Sequence, residues 1–149
     1  MSNFFGSESV TLDAKGRLIV PSRMRKGLAP EANDTFVIVR GFDPCVNMYP
    51  LDEWARFEGE LRALKRGDDE VRDFIRTMYE SAVECSLDGA NRVLLTELQI
   101  EIGGFKHSQE VRMIGAMDKI EIWNPKRLED RRRGIDTQKV DALARKFLT

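Results

Sequence analysis

Apolar and polar residues along this chain alternate in short blocks that predict strands in both halves of the sequence and helices between them. Residues 9–12 and 17–20 are two β-prone stretches, separated by the turn-forming residues 13–16. Residues 35–39 and 45–49 are two further stretches, and the short connection between them predicts a hairpin. The same β-rich pattern returns in the second half of the chain.

The second strand leads into a predicted short helix. Pro21 ends the strand because proline has no backbone N–H to donate to a ladder. Ser22 is the expected N-cap of a helix over residues 23–26, since a serine hydroxyl can accept a hydrogen bond from a free backbone amide. Gly27 then fits the C′ position, where a left-handed backbone conformation ends many helices.

Two stripes of apolar residues at helical spacing predict a pair of longer helices in the middle of the chain. The stripes are Leu51, Trp54, Phe57, Leu61 and Leu64, followed by Val71, Phe74, Ile75, Met78, Tyr79 and Ala82. Residues 65–68 separate them, and Asp68 or Asp69 is the expected N-cap of the second helix. Packing against the core is the favoured interpretation of both stripes, and an oligomer interface on the same faces is the alternative.

The two β-rich parts of the chain are versions of one repeated unit. Residues 11–20 read TLDAKGRLIV and residues 86–95 read SLDGANRVLL, and the two align without gaps at an offset of 75. Residues 37–50 and 111–125 continue the similarity at an offset of 74. Units of this size are marginally stable by themselves, so we expect the two to pack as a pseudo-twofold pair that shares one core.

Composition excludes several classes of protein. The 149 residues include 24 basic and 25 acidic side chains, which give a formal net charge of −1. The longest apolar run, residues 36–39, is far shorter than the ~20 residues of a membrane span, and the N-terminus has no secretory pattern. Cys45 and Cys85 have the spacing of neither a zinc site nor a disulfide framework. We therefore expect a cytoplasmic protein with reduced thiols and no metal or other cofactor.

No pattern typical of an enzyme is present in the sequence. The chain lacks phosphate-binding, dinucleotide-binding, nucleophile-elbow and zinc-protease motifs. Its single histidine, His107, lies beside Lys106 in a polar segment and is interpreted as a surface loop residue. We therefore predict no catalytic residue and no enzymatic activity.

Candidate binding chemistry concentrates in the first turn and the residues that follow it. Asp13 is expected to accept backbone hydrogen bonds and Gly16 to permit the bend, so that Lys15 and Arg17 project from a rigid turn. Five basic residues and no acidic one lie between positions 15 and 28, namely Lys15, Arg17, Arg23, Arg25 and Lys26. Such a patch neutralises phosphates, and arginine also binds the O6 and N7 atoms of guanine. The first turn therefore favours nucleic-acid binding by a chain that is slightly acidic as a whole.

The second turn has the same pattern with a different charge. Asp88 matches Asp13 and Arg92 matches Arg17, but residues 88–102 contain three acids and one base. Two interpretations stay open: the second turn is mainly a structural partner of the first, or it also contacts DNA. From these acidic neighbours we expect Arg92 to contribute less to DNA binding than Lys15 does.

The segment after residue 124 is basic and partly amphipathic. Residues 126–133 hold five bases and two acids and are interpreted as a solvated tail, with a phosphate contact as the alternative. Val140, Leu143, Phe147 and Leu148 predict a short amphipathic helix near the end of the chain.

The paired turns resemble those of the MraZ family, within the SpoVT/AbrB-like superfamily. The resemblance spans roughly residues 4–128 and rests on tandem Leu-Asp-x-x-x-Arg turns together with the segments 48–54, 81–85 and 119–123. It implies a β-rich fold in which two swapped-hairpin repeats, with short connecting helices, pack as a pseudo-twofold β-barrel. The implied boundaries are 8–55 for the first repeat, 56–82 for the helical connector, 83–127 for the second repeat and 128–149 for the tail. Asn91 stands where the family usually has glycine, and asparagine tolerates a left-handed backbone, so the second turn is expected to keep its shape.

The same resemblance implies a function. Family members are cytoplasmic, nucleoid-associated DNA-binding transcriptional regulators that act on the promoter of the division and cell-wall gene cluster, including their own operon. They form ring-shaped homo-oligomers, and several subunits bind direct repeats in double-stranded DNA. Carried over to this chain, the DNA-binding residues are Lys15, Arg17, Arg23, Arg25 and Arg92, with Asp13, Gly16, Asp88 and Asn91 shaping the turns. An antitoxin-like or scaffolding interaction protein of the same superfamily is the alternative.

Overall fold

This computed structural model describes residues 1–148, which contain eight strands and six α-helices. The strands are β1 (Ser7–Thr11), β2 (Arg17–Ile19), β3 (Thr35–Arg40), β4 (Val46–Pro50), β5 (Val83–Ser86), β6 (Arg92–Leu94), β7 (Glu110–Gly115) and β8 (Ile120–Trp123). The helices are α1 (Ser22–Arg25), α2 (Leu51–Arg62), α3 (Asp69–Ser81), α4 (Glu97–Gly103), α5 (Pro125–Arg132) and α6 (Thr137–Leu148). None of the helices in this range is long and apolar enough to cross a membrane.

Six strands form one antiparallel sheet in the order β1-β7-β8-β4-β3-β5, which interleaves the two halves of the chain. The sequence repeat makes β1 equivalent to β5, β3 to β7 and β4 to β8. When each strand in the sheet is replaced by its equivalent, the strand order is the same one read in reverse. Strands β2 and β6 pair separately as a two-stranded antiparallel ribbon. The molecule is therefore sheet-rich with short helices, and the hydrogen-bonded order of its large sheet ends at β1 and β5.

Strand β3 contains the longest apolar run because both of its faces are buried. Phe36 and Ile38 face the larger core, which contains side chains from both halves of the chain. Val37 and Val39 point to the other face and contact a second cluster that includes Trp54. Since side chains alternate across a strand, only a continuous apolar run can fill two cores at once.

The two predicted connector helices are present as α2 and α3. Asp68 is the N-cap of α3, and its side chain accepts a hydrogen bond from the backbone N–H of Glu70. Packing against the core accounts for α2, whose Trp54 and Leu61 are buried. It accounts for only part of α3, because Met78 is buried whereas Phe74 and Tyr79 are exposed.

The short helix α1 forms where it was predicted, with Gly27 at the C′ position after the C-cap Lys26, but its N-terminal end differs from the prediction. Pro21 is the N-cap, Ser22 is already the first helical residue, and no side chain caps the helix. Gly27 is required for space, because an added Cβ would lie 2.1 Å from the carbonyl oxygen of Asn3. The N-terminal segment therefore passes directly over the end of α1.

Helix α4 was not predicted from the sequence. Thr96 and Gln99 form a capping box, in which each side chain accepts a hydrogen bond from the backbone N–H of the other residue. Gln99 is fully buried, and its Nε2 also donates to the carbonyl oxygens of Ile38 and Ser81. The second repeat therefore replaces the proline-led α1 of the first repeat with a helix anchored by a buried amide.

The segment after residue 124 is more ordered than a solvated tail. Asn124 caps helix α5 by accepting hydrogen bonds from the backbone N–H groups of Lys126 and Arg127. Leu128 is buried against Cys45 and Trp123, which fixes α5 to the body of the molecule and corrects the interpretation of residues 126–133 as a tail. The predicted amphipathic helix near the end is present as α6, which has no buried residue.

Candidate nucleic-acid interface

The two repeated turns share one hydrogen-bond pattern. One carboxylate oxygen of Asp13 accepts hydrogen bonds from the backbone N–H groups of Lys15 (2.9 Å) and Arg17 (2.8 Å). The equivalent oxygen of Asp88 accepts from the N–H groups of Ala90 and Arg92, both at 2.9 Å. An aspartate that bridges two amides of its own turn makes the turn rigid without help from neighbouring elements.

Each aspartate also holds the arginine that ends its turn. The Nε of Arg17 lies 2.8 Å from the second carboxylate oxygen of Asp13, and the Nε of Arg92 lies 2.9 Å from that of Asp88. The two arginine side chains are similarly exposed, at 30% and 29%. In residues 1–148 no other protein group binds the terminal guanidinium nitrogens of either arginine. Each guanidinium is thus fixed by one nitrogen and can donate from the other two.

Hydrogen bonds within the turns lower the pKa of both aspartates. Hydrogen bonds from the backbone of Arg17, from its side chain and from the backbone of Lys15 lower the pKa of Asp13 from 3.8 to about 2. The same kind of bonds, first of all from the backbone of Arg92, lower the pKa of Asp88. At neutral pH both aspartates therefore act as permanent anions that pair with their arginines.

Left-handed backbone conformations close both turns. Gly16 has φ 84°, and Asn91 at the equivalent position has φ 62°. The expectation that asparagine preserves the second turn is confirmed, because its backbone adopts the conformation that glycine has in the first. Gly16 is also confined by its surroundings, since an added Cβ would lie 3.2 Å from the carbonyl oxygen of Leu95.

The β2–β6 ribbon brings the ends of both turns onto one surface. In its antiparallel register Arg17 is opposite Leu94 and Ile19 is opposite Arg92. Leu18 and Val93 point to the core and are buried. Alternation along the two strands places Arg17, Ile19, Arg92 and Leu94 on the opposite, outward face.

The aliphatic residues of this outward face were missed in the sequence. Ile19 is 55% exposed and Leu94 is 53% exposed, although each is the middle one of three consecutive apolar residues, 18–20 and 93–95. The alternation of side chains along a strand could have revealed these two residues, because the middle one of three consecutive strand residues points away from both of its neighbours. The result is an outward face with an arginine and an aliphatic residue on each strand.

The five basic residues at positions 15–26 are distributed between the two ends of the ribbon and α1. Because β2 and β6 run antiparallel, α1 lies beside the second turn, where the N–H of Val20 donates to the carbonyl oxygen of Asn91 at 2.9 Å. A cavity of about 290 Å³ there is lined by Ser22, Arg25, Lys26, Asp34, Leu87 and Asn91. Lys15 and Arg17 remain at the opposite end of the ribbon.

Arg25 and Arg23 have different positions on α1. Arg25 donates from its Nε to the carbonyl oxygen of Val20 at 3.0 Å, which holds it near the second turn. Arg23 turns toward strand β1, where its Nε lies 3.8 Å from a carboxylate oxygen of Glu8. Of these two candidates, Arg25 is therefore the one that lies beside a repeated turn.

The first turn has an acidic helix as its neighbour. Gly16 accepts a hydrogen bond from the N–H of Leu95 at 2.8 Å and approaches Ile100 of α4. Helix α4 carries Glu97 and Glu101. The acidic helix that follows Arg92 in sequence therefore packs beside the first turn, whereas basic residues of α1, together with Asp34, lie beside the second.

His107 lies in an exposed loop, and the loop contacts the first turn. Its Nδ1 is 3.2 Å from the carbonyl oxygen of Asp13. Elsewhere, burial raises the pKa of the Cys45 thiol to about 12, so this cysteine is not activated. Residues 1–148 contain no cluster of histidine, cysteine and carboxylate side chains suited to hold a metal ion.

Comparisons with known proteins identify relatives along the chain. A family model described as "MraZ protein, putative antitoxin-like" matches residues 4–77. The protein named "Transcriptional regulator MraZ" in Acetivibrio thermocellus is 32% identical over 144 residues, which cover 97% of this chain and 96% of the relative. The protein of the same name in Moorella thermoacetica is 37% identical over 145 residues with the same coverage. In Pseudomonas putida the identity is 37% over 122 residues, which cover 81% of this chain and 80% of the relative. This chain belongs to the MraZ family.

Proposed function

We propose that this protein is a sequence-specific DNA-binding transcriptional regulator. The observation that carries the proposal is the outward face of the β2–β6 ribbon, on which two arginines are each fixed by one nitrogen and can donate from two others. The names of the relatives support a regulatory role. A rigid arginine loses little conformational freedom when it binds a base, which favours specific contacts over purely electrostatic ones.

The ribbon is the kind of element that the major groove of B-DNA admits. A two-stranded β-ribbon fits the major groove of B-DNA, where guanine presents O6 and N7 as a pair of acceptors. Arg17 and Arg92 would bind guanines through their terminal nitrogens, and Ile19 and Leu94 would contact thymine methyl groups. Lys15 at the first turn and Arg25 beside the second would bind phosphates on either side, with Arg23 as a further phosphate contact.

Several subunits are needed for tight binding in this proposal. One chain has a net charge of −1 and a small basic surface, so a single copy would bind DNA weakly. A ring-shaped homo-oligomer would present several ribbons to direct repeats in a promoter and would gain avidity without a basic surface overall. The target would be the promoter of the division and cell-wall gene cluster, including the protein's own operon, in the cytoplasm at the nucleoid.

The domain organisation of the proposal follows the repeat. Residues 8–55 and 83–127 would be two swapped-hairpin repeats that close a pseudo-twofold barrel, with 56–82 as the helical connector and 128–149 as a C-terminal extension. The palindromic strand order and the ribbon that contains one strand from each half support this organisation. The barrel would hold both turns at fixed positions, and no cofactor or catalytic step enters this function.

The substitution Arg17→Ala tests the proposed function. We expect it to weaken binding to a fragment from the protein's own upstream region by about 1–3 kcal/mol for each bound subunit, the value of one bidentate arginine–guanine contact. Arg76→Ala is the matched control, because Arg76 is an exposed arginine that also pairs with a nearby aspartate but lies on α3. Gel retardation on this fragment and on a scrambled fragment measures the effect. Equal binding by both variants, or equal binding of both fragments, would refute the proposal.

The antitoxin-like alternative is favoured by a different observation, the exposed helix α6. A helix that buries none of its residues is available to a partner protein. The alternative predicts a stoichiometric small protein that copurifies with the wild type and is lost when α6 is altered. Purification of the wild type and of Phe147→Asp, with mass spectrometry of the copurified proteins, tests this outcome, because Phe147 is exposed on α6.

A further inference from the structure

A cavity of about 350 Å³ lies between strand β7 and helix α5. It is lined by Arg112, Pro125, Leu128, Glu129, Arg132 and Arg133. Val111 and Met113, the neighbours of Arg112 in β7, face the larger core. The same core contains Leu18 and Val93 of the β2–β6 ribbon. Because side chains alternate along a strand, Arg112 and the cavity lie on the face of the sheet that is turned away from the ribbon.

The cavity has a surplus of positive charge. Three arginines and one glutamate line it, which gives a formal charge of 3 − 1 = +2. Arg133 is already paired, since its Nη2 lies 3.2 Å from a carboxylate oxygen of Asp130. The guanidinium of Arg132, in contrast, has no hydrogen bond or ion pair with any group in residues 1–148. The positive charge that is left unpaired in the cavity therefore belongs to Arg132 and Arg112.

Arg112 is held in place without being neutralised. Its Nη1 donates to the hydroxyl of Ser9 at 3.2 Å, and its Nη2 donates to the hydroxyl of Ser7. No carboxylate in the described part of the chain forms an ion pair with it. Its Nε is buried and has no acceptor. Buried N–H groups are nearly always hydrogen-bonded, so this guanidinium is a positioned donor that lacks an anionic partner.

The walls of the cavity indicate the kind of anion that fits. Guanidinium groups match the geometry of phosphate oxygens, and Pro125 and Leu128 add an apolar surface beside them. Apolar walls with a few polar groups are typical of sites for small molecules, and this volume is near the lower end of their range. We propose that the cavity binds a small organic phosphate, with Arg112 and Arg132 donating to the phosphate and Leu128 contacting the organic part.

The first test titrates the full-length protein with phenyl phosphate and, separately, with methyl phosphate by isothermal titration calorimetry. Phenyl phosphate should bind more tightly, since its ring buries apolar surface against the cavity wall. Arg132→Ala and Arg112→Gln should each weaken binding of phenyl phosphate by about tenfold or more, because each removes hydrogen bonds to a charged group. Arg132 is exposed, so its substitution leaves the core intact, and circular dichroism confirms the fold.

Two further variants separate a site from a general effect of charge. Glu129→Gln should strengthen binding of phenyl phosphate, because it removes the one negative charge that lines the cavity. Arg131→Ala is the matched control and should leave binding unchanged. Arg131 is adjacent to Arg132 on α5, is 61% exposed and pairs with Asp43 at 3.0 Å, but does not line the cavity. Equal weakening by the two arginine variants of α5, or no binding of phenyl phosphate by wild type, would overturn the inference.

The DNA backbone is the other source of a phosphate, and a titration in the presence of the promoter fragment distinguishes the two. Phenyl phosphate should bind equally well with and without the fragment, because the cavity faces away from the ribbon. Loss of binding in the presence of the fragment would assign these arginines to DNA phosphates and overturn the inference. Arg17→Ala should weaken DNA binding and leave binding of phenyl phosphate unchanged, so this inference and the proposed function fail separately.

Discussion

At the scale of single residues, one aspartate organises each turn. Asp13 binds two backbone amides and one arginine Nε, and Asp88 repeats all three contacts. The same carboxylate therefore shapes the backbone and aims the side chain that follows. Gly16 and Asn91 complete the turns because only residues that accept a positive φ can close them.

Gly16→Ala should destabilise the protein by about 1–2 kcal/mol, the cost of placing a Cβ in a left-handed conformation. Contact of the new Cβ with the carbonyl oxygen of Leu95 adds to this cost. Gly89→Ala is the control, because an added Cβ there meets nothing within 4 Å and the equivalent residue of the first turn is Ala14. Urea unfolding measures both variants. Equal midpoints would contradict the assigned role of Gly16.

At the scale of elements, a buried polar side chain positions helix α4, which no pattern in the sequence predicted. Gln99 caps the start of α4 and ties it to β3 and to the end of α3. Every hydrogen-bonding atom of its amide has a partner, with its Oε1 accepting from the N–H of Thr96. A fully satisfied amide of this kind fixes the relative position of three elements.

Gln99→Met should cost about 2 kcal/mol, because the carbonyl oxygens of Ile38 and Ser81 would each lose a donor in a buried site. Gln138→Met on α6 is the control, since Gln138 is exposed. Thermal unfolding followed by circular dichroism compares the two variants with wild type. A loss no greater than that of the control would show that the network around Gln99 contributes no stability.

At the scale of the whole molecule, pairing of β2 with β6 decides which charges surround each turn. The basic helix α1 of the first half lies beside the second turn, and the acidic helix α4 of the second half lies beside the first. Each candidate DNA-binding surface is therefore a composite of both halves. Either half expressed by itself would lack the neighbours that the other half supplies to its turn.

Lys15→Ala and Arg25→Ala should each flatten the dependence of log affinity on log salt concentration by about 1 for each bound subunit, because each side chain is proposed to bind one phosphate. Arg92→Ala should change this slope less than Lys15→Ala does, since its proposed contact is to a base and not to a phosphate. Titration of the same promoter fragment at several salt concentrations gives the slopes, with Arg76→Ala as the control of unchanged slope. An unchanged slope in Arg25→Ala would restrict phosphate binding to the first turn, and an equal change in Arg92→Ala would contradict its assignment to a base.

The sequence by itself determined the local structure of this protein. The Leu-Asp-x-x-x-Arg pattern predicted both turns, helical spacing predicted α2 and α3, and the offset of the repeat predicted which strands are equivalent. Each of these features depends on contacts within a few residues, such as an aspartate and the amides that follow it. Local contacts are encoded in adjacent positions, so a pattern in the sequence is sufficient to reveal them.

Only the tertiary structure decided which surfaces these elements share. It moved Arg25 to the second turn and Arg23 toward Glu8, exposed Ile19 and Leu94, and fixed α5 through Leu128. The physical reason is that antiparallel pairing joins the end of one strand to the start of another that lies 75 positions away. Neighbours in space then come from opposite halves of the chain, and charges counted along the sequence no longer describe the surroundings of a side chain.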